Sequence, residues 1–192
     1  MRKILILAGP SAVGKTTVAG ELIKKEPRFE FIRSATTRAK RADGFDGEYI
    51  YLSREEFKAA VSDGKMLEFT EFGDNFYGTP RSEIERIFAE GKIPLLILDI
   101  NGVRSLKEIK SDFYSFSVYI TASLDLLDSR LYERVLTSEN RGEAMKIYEK
   151  RRAQNRRDLE NYEGFSSLFD ITVENSVIAL TADTILTEFL KK

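Results

Sequence analysis

The residues best suited to chemistry lie near the amino terminus, where Gly9, Gly14, Lys15 and Thr16 follow the pattern G-x-x-x-x-G-K-T. A short apolar run precedes this pattern and a helical pattern follows it, which is the context that distinguishes a phosphate-binding P-loop from a chance match. Glycine lets the backbone turn tightly, so that successive N–H groups point inward and bind an anion. Lys15 adds a positive charge for the β- and γ-phosphates, and the Thr16 hydroxyl suits Mg²⁺.

The sequence therefore predicts a nucleoside-triphosphate site at this loop. The alternative is a glycine-containing turn between a strand and a helix that binds nothing, and the flanking apolar and helical patterns disfavour it. The helix that starts near Lys15 also directs the positive end of its dipole toward the loop. The residues predicted to contact the nucleoside triphosphate here are Gly9, Pro10, Ser11, Ala12, Val13, Gly14, Lys15, Thr16 and Thr17.

The composition excludes several kinds of chemistry, because the chain contains neither cysteine nor histidine. A disulfide framework, a thiolate nucleophile, a Cys/His zinc site and an imidazole general base are all impossible. The net charge of −1 gives no reason to expect a nucleic-acid partner. We find no secretory signal and no apolar run near the length of a membrane span, so we expect no membrane partner and a cytoplasmic location.

The arrangement of predicted elements indicates an α/β fold in which strands alternate with helices around the P-loop. Residues 93–100 are nearly continuously apolar, as in a strand buried on both faces of a parallel sheet. Asp99 falls at the carboxyl end of this strand, the edge where ligands bind in open α/β sheets. We therefore predict a doubly wound parallel sheet with right-handed crossovers.

Two segments interrupt this alternation within what we predict to be a single domain of 192 residues. Residues 34–78 carry hairpin-like strand patterns and are predicted to form an inserted lobe, and residues 136–161 are predicted to form a helical lid. The core then comprises residues 1–33, 79–135 and 162–192. Within these segments, Ser53 and Glu56 have the spacing of a capping box, and Thr79-Pro80 has the pattern of an N-cap followed by the first helical residue.

With these motifs in place, the chain resembles the guanylate kinase family over nearly its whole length. That family phosphorylates GMP to GDP with ATP and Mg²⁺, and the resemblance implies that the inserted lobe binds the monophosphate and that the lid covers ATP. We expect closure of both segments to exclude water. The resemblance rests on Gly9-Pro-Ser-Ala-Val-Gly-Lys-Thr16, Ser34-Ala-Thr-Thr-Arg-Ala-Lys-Arg41, Gly47-Glu-Tyr-Ile-Tyr-Leu-Ser53, Leu67-Glu68, Tyr77-Gly-Thr79 and Ile97-Leu-Asp-Ile100.

The phosphate of GMP is expected in the inserted lobe. Arg38 and Arg41 lie three positions apart in a polar loop and can converge on one phosphate with bidentate geometry. The resemblance implies that these two arginines and the hydroxyls of Tyr49 and Tyr77 hold the phosphate. The alternative interpretation of the two arginines is that they are solvated loop charges. The alternative for the two tyrosines is that they only pack on the strands.

The guanine base presents N1–H and N2–H donors, so a protein group that recognises it must be an acceptor. Glu68 supplies such a group, a carboxylate. The alternative for Glu68 is an exposed carboxylate on a strand. Guanine O6 needs donors, which Ser34 and Thr79 can supply. By the resemblance, Asp99 and Asn101 complete the GMP-binding set.

On the ATP side, the resemblance implies that the transferring phosphoryl group is neutralised by Arg130, Arg134 and Arg151, with Lys15 and Arg38 completing the catalytic set. It places Asn175 near the adenine of ATP. The basic residues of the predicted lid helix have an alternative role as a solvated face. For Mg²⁺, the expected ligands are Thr16 and Asp99.

The sequence departs from the family pattern after the buried strand. It reads Asp99-Ile-Asn-Gly102 where the family continues Asp-Ile-Asp-x-Gln-Gly. Asn101 can accept a hydrogen bond but lacks the charge of aspartate, so weaker guanine selectivity is expected. This keeps open a kinase of the same fold that acts on another nucleoside monophosphate or a sugar phosphate. A non-catalytic binding module is a further alternative, and a monomer or homodimer is expected.

Overall fold

A computed structural model describes residues 2–40, 49–72, 74–109 and 111–192. Strands and helices alternate along most of the chain, as the sequence predicts. Two 3₁₀ turns, Tyr162–Gly164 and Ser166–Leu168, precede the last strand. The elements are β1 (Arg2–Ala8), α1 (Lys15–Lys25), β2 (Phe29–Phe31), β3 (Ser34–Thr36), β4 (Tyr49–Tyr51), α2 (Arg54–Ser62), β5 (Met66–Phe72), β6 (Asn75–Pro80), α3 (Arg81–Ala89), β7 (Ile93–Ile97), α4 (Ile100–Glu108), β8 (Phe113–Thr121), α5 (Leu124–Leu136), α6 (Arg141–Glu160), β9 (Ile171–Glu174) and α7 (Ile178–Lys191).

The larger sheet has five strands in the order β2-β7-β1-β8-β9. β2 pairs parallel to β7, with Phe29 opposite Ile93, and β8 pairs parallel to β9, with Val118 opposite Ile171. Residues 4–8 of β1 are fully buried, as expected for a strand covered on both faces. The predicted α/β class with a mostly parallel sheet is confirmed.

The smaller sheet has four strands in the order β4-β3-β6-β5 and mixes parallel and antiparallel pairs. All its strands come from residues 34–80. One of its faces packs on α2 through a small cluster of Ala35, Phe57 and Met66. These strands form a separate sheet with its own hydrophobic cluster, which explains why strand patterns interrupt the alternation of strands and helices over residues 34–78.

The chain divides into two compact units. The first unit comprises residues 1–6 and 26–115 and contains the four-stranded sheet. The second unit comprises residues 7–25 and 116–192 and contains the P-loop and helices α5, α6 and α7. The residues predicted to bind the GMP phosphate and base fall in the first unit, and those predicted to bind ATP fall in the second.

Several predicted element boundaries change in the structure. The single strand that the sequence predicts over residues 29–34 is split into β2 and β3, because the chain leaves the larger sheet after Ile32, whose N–H still bonds the Leu95 carbonyl at 3.1 Å. The strand predicted over 93–100 ends at Ile97, because the Asp99 carboxylate caps α4. The helix of the predicted lid begins at Arg141, where Asn140 caps it, three residues before the start near Ala144 that the sequence predicts.

The helix starts predicted at Ser53 and at Thr79 have opposite outcomes. Ser53 and Glu56 form the predicted capping box, with reciprocal side-chain to backbone bonds. The prediction that Thr79 caps α3 is wrong: Pro80 occupies the N-cap position and makes no side-chain cap bond. Thr79 belongs to β6, and its hydroxyl donates instead to Glu68. Among the described residues, no helix is both long and apolar enough to cross a membrane.

Candidate active site

The P-loop follows β1 and has the tight backbone that its glycines predict. Gly9 has φ of 146° and Gly14 has φ of 99°, a region that side-chain-bearing residues rarely adopt. A Cβ on Gly9 would lie 2.1 Å from the Ile120 carbonyl oxygen, and one on Gly14 would lie 2.7 Å from Asn175 Nδ2. Both glycines are therefore required by conformation and by space.

Ala12, between these glycines, also has a left-handed backbone, with φ of 65°. An alanine in this conformation costs roughly 1–2 kcal/mol relative to its preferred region. We expect Ala12→Gly to raise the free energy of unfolding by about 1 kcal/mol, since part of the relief is lost to the greater freedom of glycine in the unfolded chain. Thermal denaturation should show a rise of about 2–4 °C.

The matched control is Ala153→Gly on the exposed face of α6, where the backbone is helical. This change should lower stability by about 0.5–1 kcal/mol. Equal destabilisation by both substitutions would contradict the strain at Ala12.

Lys15 opens α1 and folds back over the loop. Its Nζ donates to the carbonyls of Gly9 at 2.8 Å and Pro10 at 2.9 Å. The pKa of Lys15 is lowered to about 8, chiefly by burial and also by the positive charges of Arg151 and Arg134, against an opposing effect of Asp158. Positive charges are thus gathered beside a loop of N–H donors, an arrangement that suits a polyanion.

Arg130 and Arg134 lie one turn apart on α5 and both line a cavity beside the loop. The Nη1 atom of Arg130 donates to the Val13 carbonyl at 3.2 Å and lies 3.5 Å from that of Ala12. The cavity has a volume of about 400 Å³ and mixes charged, polar and apolar walls. Its lining residues are Ala12, Gly14, Thr17, Arg130, Glu133, Arg134, Thr137, Asn175 and Ile178.

Asn175 follows β9 and is 1% exposed. Its Nδ2 donates to the Val13 carbonyl at 2.8 Å, and its Oδ1 accepts from the Thr181 hydroxyl at 3.1 Å. The sequence places Asn175 near adenine by resemblance, and in the structure its amide also fastens the P-loop to α7. The sequence reasoning missed Thr181, because a threonine within a helix carries no signal of this contact.

Asn155 on α6 is a second buried amide at the loop, and the sequence reasoning missed it as well. Its Oδ1 accepts from the Ser11 N–H at 2.8 Å, and its Nδ2 donates to the Ser11 carbonyl at 3.0 Å. Residue 155 lies in a strongly basic stretch whose pattern indicates a solvated helix face. Only the folded chain brings it to residue 11.

In the first unit, the structure brings together three of the residues predicted to bind the GMP phosphate. The guanidinium carbon of Arg38 lies 5.0 Å from the centre of the Tyr49 ring, and the Tyr49 and Tyr77 rings meet edge to face at 6.4 Å. The Arg38 N–H is held by the Thr36 hydroxyl at 3.1 Å. Arg41, the second predicted arginine, lies outside the described residues.

Glu68 on β5 is 5% exposed, and its Oε1 accepts from the Thr79 hydroxyl at 2.6 Å. Burial raises the pKa of Glu68 to about 7. The Thr79 hydrogen bond opposes this rise in pKa, and the negative charge of Asp99 adds to it. Glu68 is thus a desolvated carboxylate for which further donors would be favourable, and it is not the exposed strand carboxylate of the alternative interpretation.

The other residues predicted to bind the guanine base lie on different elements of the first unit. Asp99 Oδ1 accepts the Gly102 N–H at 2.7 Å as the N-cap of α4, and the Thr70 hydroxyl lies 3.5 Å from its Oδ2. Asn101 is exposed in the first turn of α4. Ser34 is half-buried on β3, in register with Tyr49.

A P-loop that opens the first helix of a mostly parallel α/β fold defines the P-loop phosphotransferase class. A family model described as guanylate kinase matches residues 1–192. The chain belongs to the guanylate kinase family.

Relatives of known sequence and structure agree with this assignment. The chain is 34% identical over 185 residues to a guanylate kinase from Enterococcus faecalis, covering 95% of this chain and 85% of the relative. It is 33% identical over 181 residues to one from Desulfitobacterium hafniense, covering 94% and 85%. A crystal structure of guanylate kinase from Anaplasma phagocytophilum superimposes with a TM-score of 0.71 at 26% identity, covering 99% of this chain and 85% of that one.

Proposed function

We propose that this protein transfers the γ-phosphoryl group of ATP to the phosphate of GMP, with Mg²⁺, and yields ADP and GDP. Membership of the guanylate kinase family supports this reaction. The observation that carries the identity of the acceptor is Glu68, a buried carboxylate already bonded to the Thr79 hydroxyl. Guanine offers two adjacent N–H donors to such a group, whereas a sugar phosphate offers hydroxyls only.

On the donor side, the P-loop N–H groups and the start of α1 are proposed to bind the ATP phosphates. Lys15 would leave its carbonyl partners and bind the β- and γ-phosphates. Arg130, Arg134 and Arg151 would neutralise the charge of the transferring group, since two polyanions must meet end to end. Pro10, Ser11, Val13 and Thr17 belong to the same proposed ATP-binding set.

The proposed Mg²⁺ ligands are the exposed Thr16 hydroxyl and Asp99. Mg²⁺ takes oxygen ligands and keeps several waters and substrate phosphates, so few protein ligands are needed. A hydroxyl and a carboxylate suit this preference, and no group of three or more acidic side chains that could hold a metal occurs among the described residues. When bound, the ion would offset phosphate charge and orient the transferring group.

On the acceptor side, Arg38 and Arg41 with the Tyr49 and Tyr77 hydroxyls are proposed to hold the GMP phosphate. That phosphate is already ionised at neutral pH, so the transfer needs no general base from the protein. Catalysis is then a matter of position and charge, which suits a chain without histidine.

For the base, Glu68 is proposed to accept from guanine N1–H and N2–H. Ser34, Thr79, Asp99 and Asn101 complete this set. The division into core, lobe at 34–78 and lid at 136–161 remains a prediction, as do the cytoplasmic location and a monomeric or homodimeric state.

An acceptor panel tests the proposed function. Initial rates with ATP and Mg²⁺ are measured for GMP, dGMP, AMP, CMP and UMP in a coupled assay for ADP. GMP and dGMP are expected to exceed the other acceptors in kcat/KM by at least about 100-fold, because a buried carboxylate left without donors rejects the wrong base. Equal rates, or a preference for another acceptor, would contradict the proposal.

A further inference from the structure

Asn155 contacts the P-loop in a way that the family assignment does not explain. Its side chain is 1% exposed and bonds both backbone groups of Ser11, at 2.8 and 3.0 Å. We propose that Asn155 is a positioning residue for phosphoryl transfer, which holds helix α6 against the P-loop before ATP binds. The proposal rests on the function given above and extends it to a residue remote from the substrates.

The bonding pattern is specific to a carboxamide. An amide side chain offers one donor group and one acceptor oxygen, and these match the carbonyl and N–H of a single peptide residue. An apolar side chain at position 155 would leave both part-buried Ser11 backbone groups without this partner, and an unpaired polar group costs more free energy the less water reaches it.

The same face of α6 carries the charges that act on Lys15. Arg151, Asn155 and Asp158 are spaced i, i+4 and i+7 and so lie on one side of the helix. The charges of Arg151 and Asp158 both act on the ammonium of Lys15. Arg151 repels the Lys15 ammonium and Asp158 attracts it, and the Asn155 contact between these two positions is a direct bond from the helix to the loop.

α5 and α6 are also tied to each other. Arg152 Nε lies 2.6 Å from Asp128 Oδ2, and the rings of Tyr132 and Tyr148 meet edge to face at 5.7 Å. α5 carries Arg130 and Arg134. Fixing α6 at Asn155 therefore fixes all three proposed phosphate-binding arginines relative to the loop, which is electrostatic preorganisation.

The test is Asn155→Leu, which keeps a similar volume and favours the helix but cannot bond Ser11. The expected result is a fall of about 10- to 100-fold in kcat/KM for ATP, since small misplacements of charged groups have effects of this size. GMP affinity, measured by calorimetry, should stay within about twofold of the parent, because the proposed GMP residues lie in the other unit. Asn140→Ala is the matched control: it removes a cap of the same helix but no P-loop contact, and it should leave kcat/KM for ATP nearly unchanged.

The division of the loss between kcat and KM provides a readout that a purely structural role would not move. In Asn155→Leu the fall in kcat/KM for ATP should come mainly from kcat, because the arginines that Asn155 positions are proposed to act on the transferring phosphoryl group. Unchanged kcat/KM for ATP in a folded variant, a loss confined to KM, or an equal loss in Asn140→Ala would overturn the proposal.

If Asn155→Leu does not fold, Asn155→Ala is measured in the same way, and failure of both to fold would make Asn155 structural and overturn the proposal. Failure of the proposed function is distinguishable, because the parent would then produce no GDP. Its ATP affinity would still report on the contact.

Discussion

Lys15→Ala is expected to lower kcat for GDP formation by about 10³-fold or more, which is the scale of removing a charged group that stabilises a phosphoryl-transfer transition state. The Lys15 ammonium contacts the P-loop backbone directly, bonded to the carbonyls of Gly9 and Pro10. Initial rates at saturating ATP and GMP measure the effect.

The loss should not come from unfolding. Burial lowers the pKa of Lys15 to about 8, below its ordinary value of 10.5, so the charged form is disfavoured by the fold. Below pH 8 the substitution should therefore leave stability equal or higher, and any stability that the parent gains from Lys15 deprotonation appears as the pH rises from 8 to 10.5.

The control is Lys24→Ala on the exposed side of α1, which should retain parental turnover. Near-normal turnover in Lys15→Ala would contradict the assigned role.

Glu68→Gln is expected to lower kcat/KM for GMP by about 10³-fold, because the amide presents a donor where guanine also presents donors, and two charge-assisted hydrogen bonds are lost. The ATP affinity of the variant should be unchanged. Glu71→Gln on the exposed part of the same strand is the control and should behave as the parent. If Glu68→Gln keeps kcat/KM for GMP within about threefold of the parental value, Glu68 does not recognise the guanine base.

The pH dependence of Glu68 has a defined sign. Its pKa rises from 4.5 to about 7 on folding, mainly through burial, so the folded chain holds a proton that the unfolded chain releases. Stability is therefore lost as pH rises from 4.5 to 7, by up to about 3 kcal/mol at pH 8. Glu68→Gln should raise the melting temperature at pH 8 and have little effect near pH 4.5. In the parent, kcat/KM for GMP should increase through pH 7, since the ionised carboxylate is the acceptor.

Local patterns predicted the P-loop and the helix start at Ser53 because their interactions lie within a few residues of one another. They did not predict that Glu68 bonds Thr79. These residues are placed opposite each other by the register of β5 and β6, and a one-residue slip would have separated them. The same pairing explains why Thr79 does not cap α3, although its sequence context suggests a cap.

The long-range contacts of polar side chains could not be predicted from the sequence. Asn155 and Ser11 are 144 positions apart, and Asn175 and Val13 are 162 apart. An asparagine in a basic helix resembles a solvated residue until the fold places it against a buried loop. The P-loop motif was thus predictable from local sequence, whereas the contacts by which Asn155 and Asn175 hold the loop in place were not.

The most direct test incubates the parental protein with ATP, GMP and Mg²⁺ and follows the nucleotides and inorganic phosphate by ³¹P NMR. The account predicts that ADP and GDP appear in equal amounts as ATP and GMP disappear, with inorganic phosphate negligible. Release of inorganic phosphate without GDP, or no consumption of GMP, would contradict phosphoryl transfer between the two substrates.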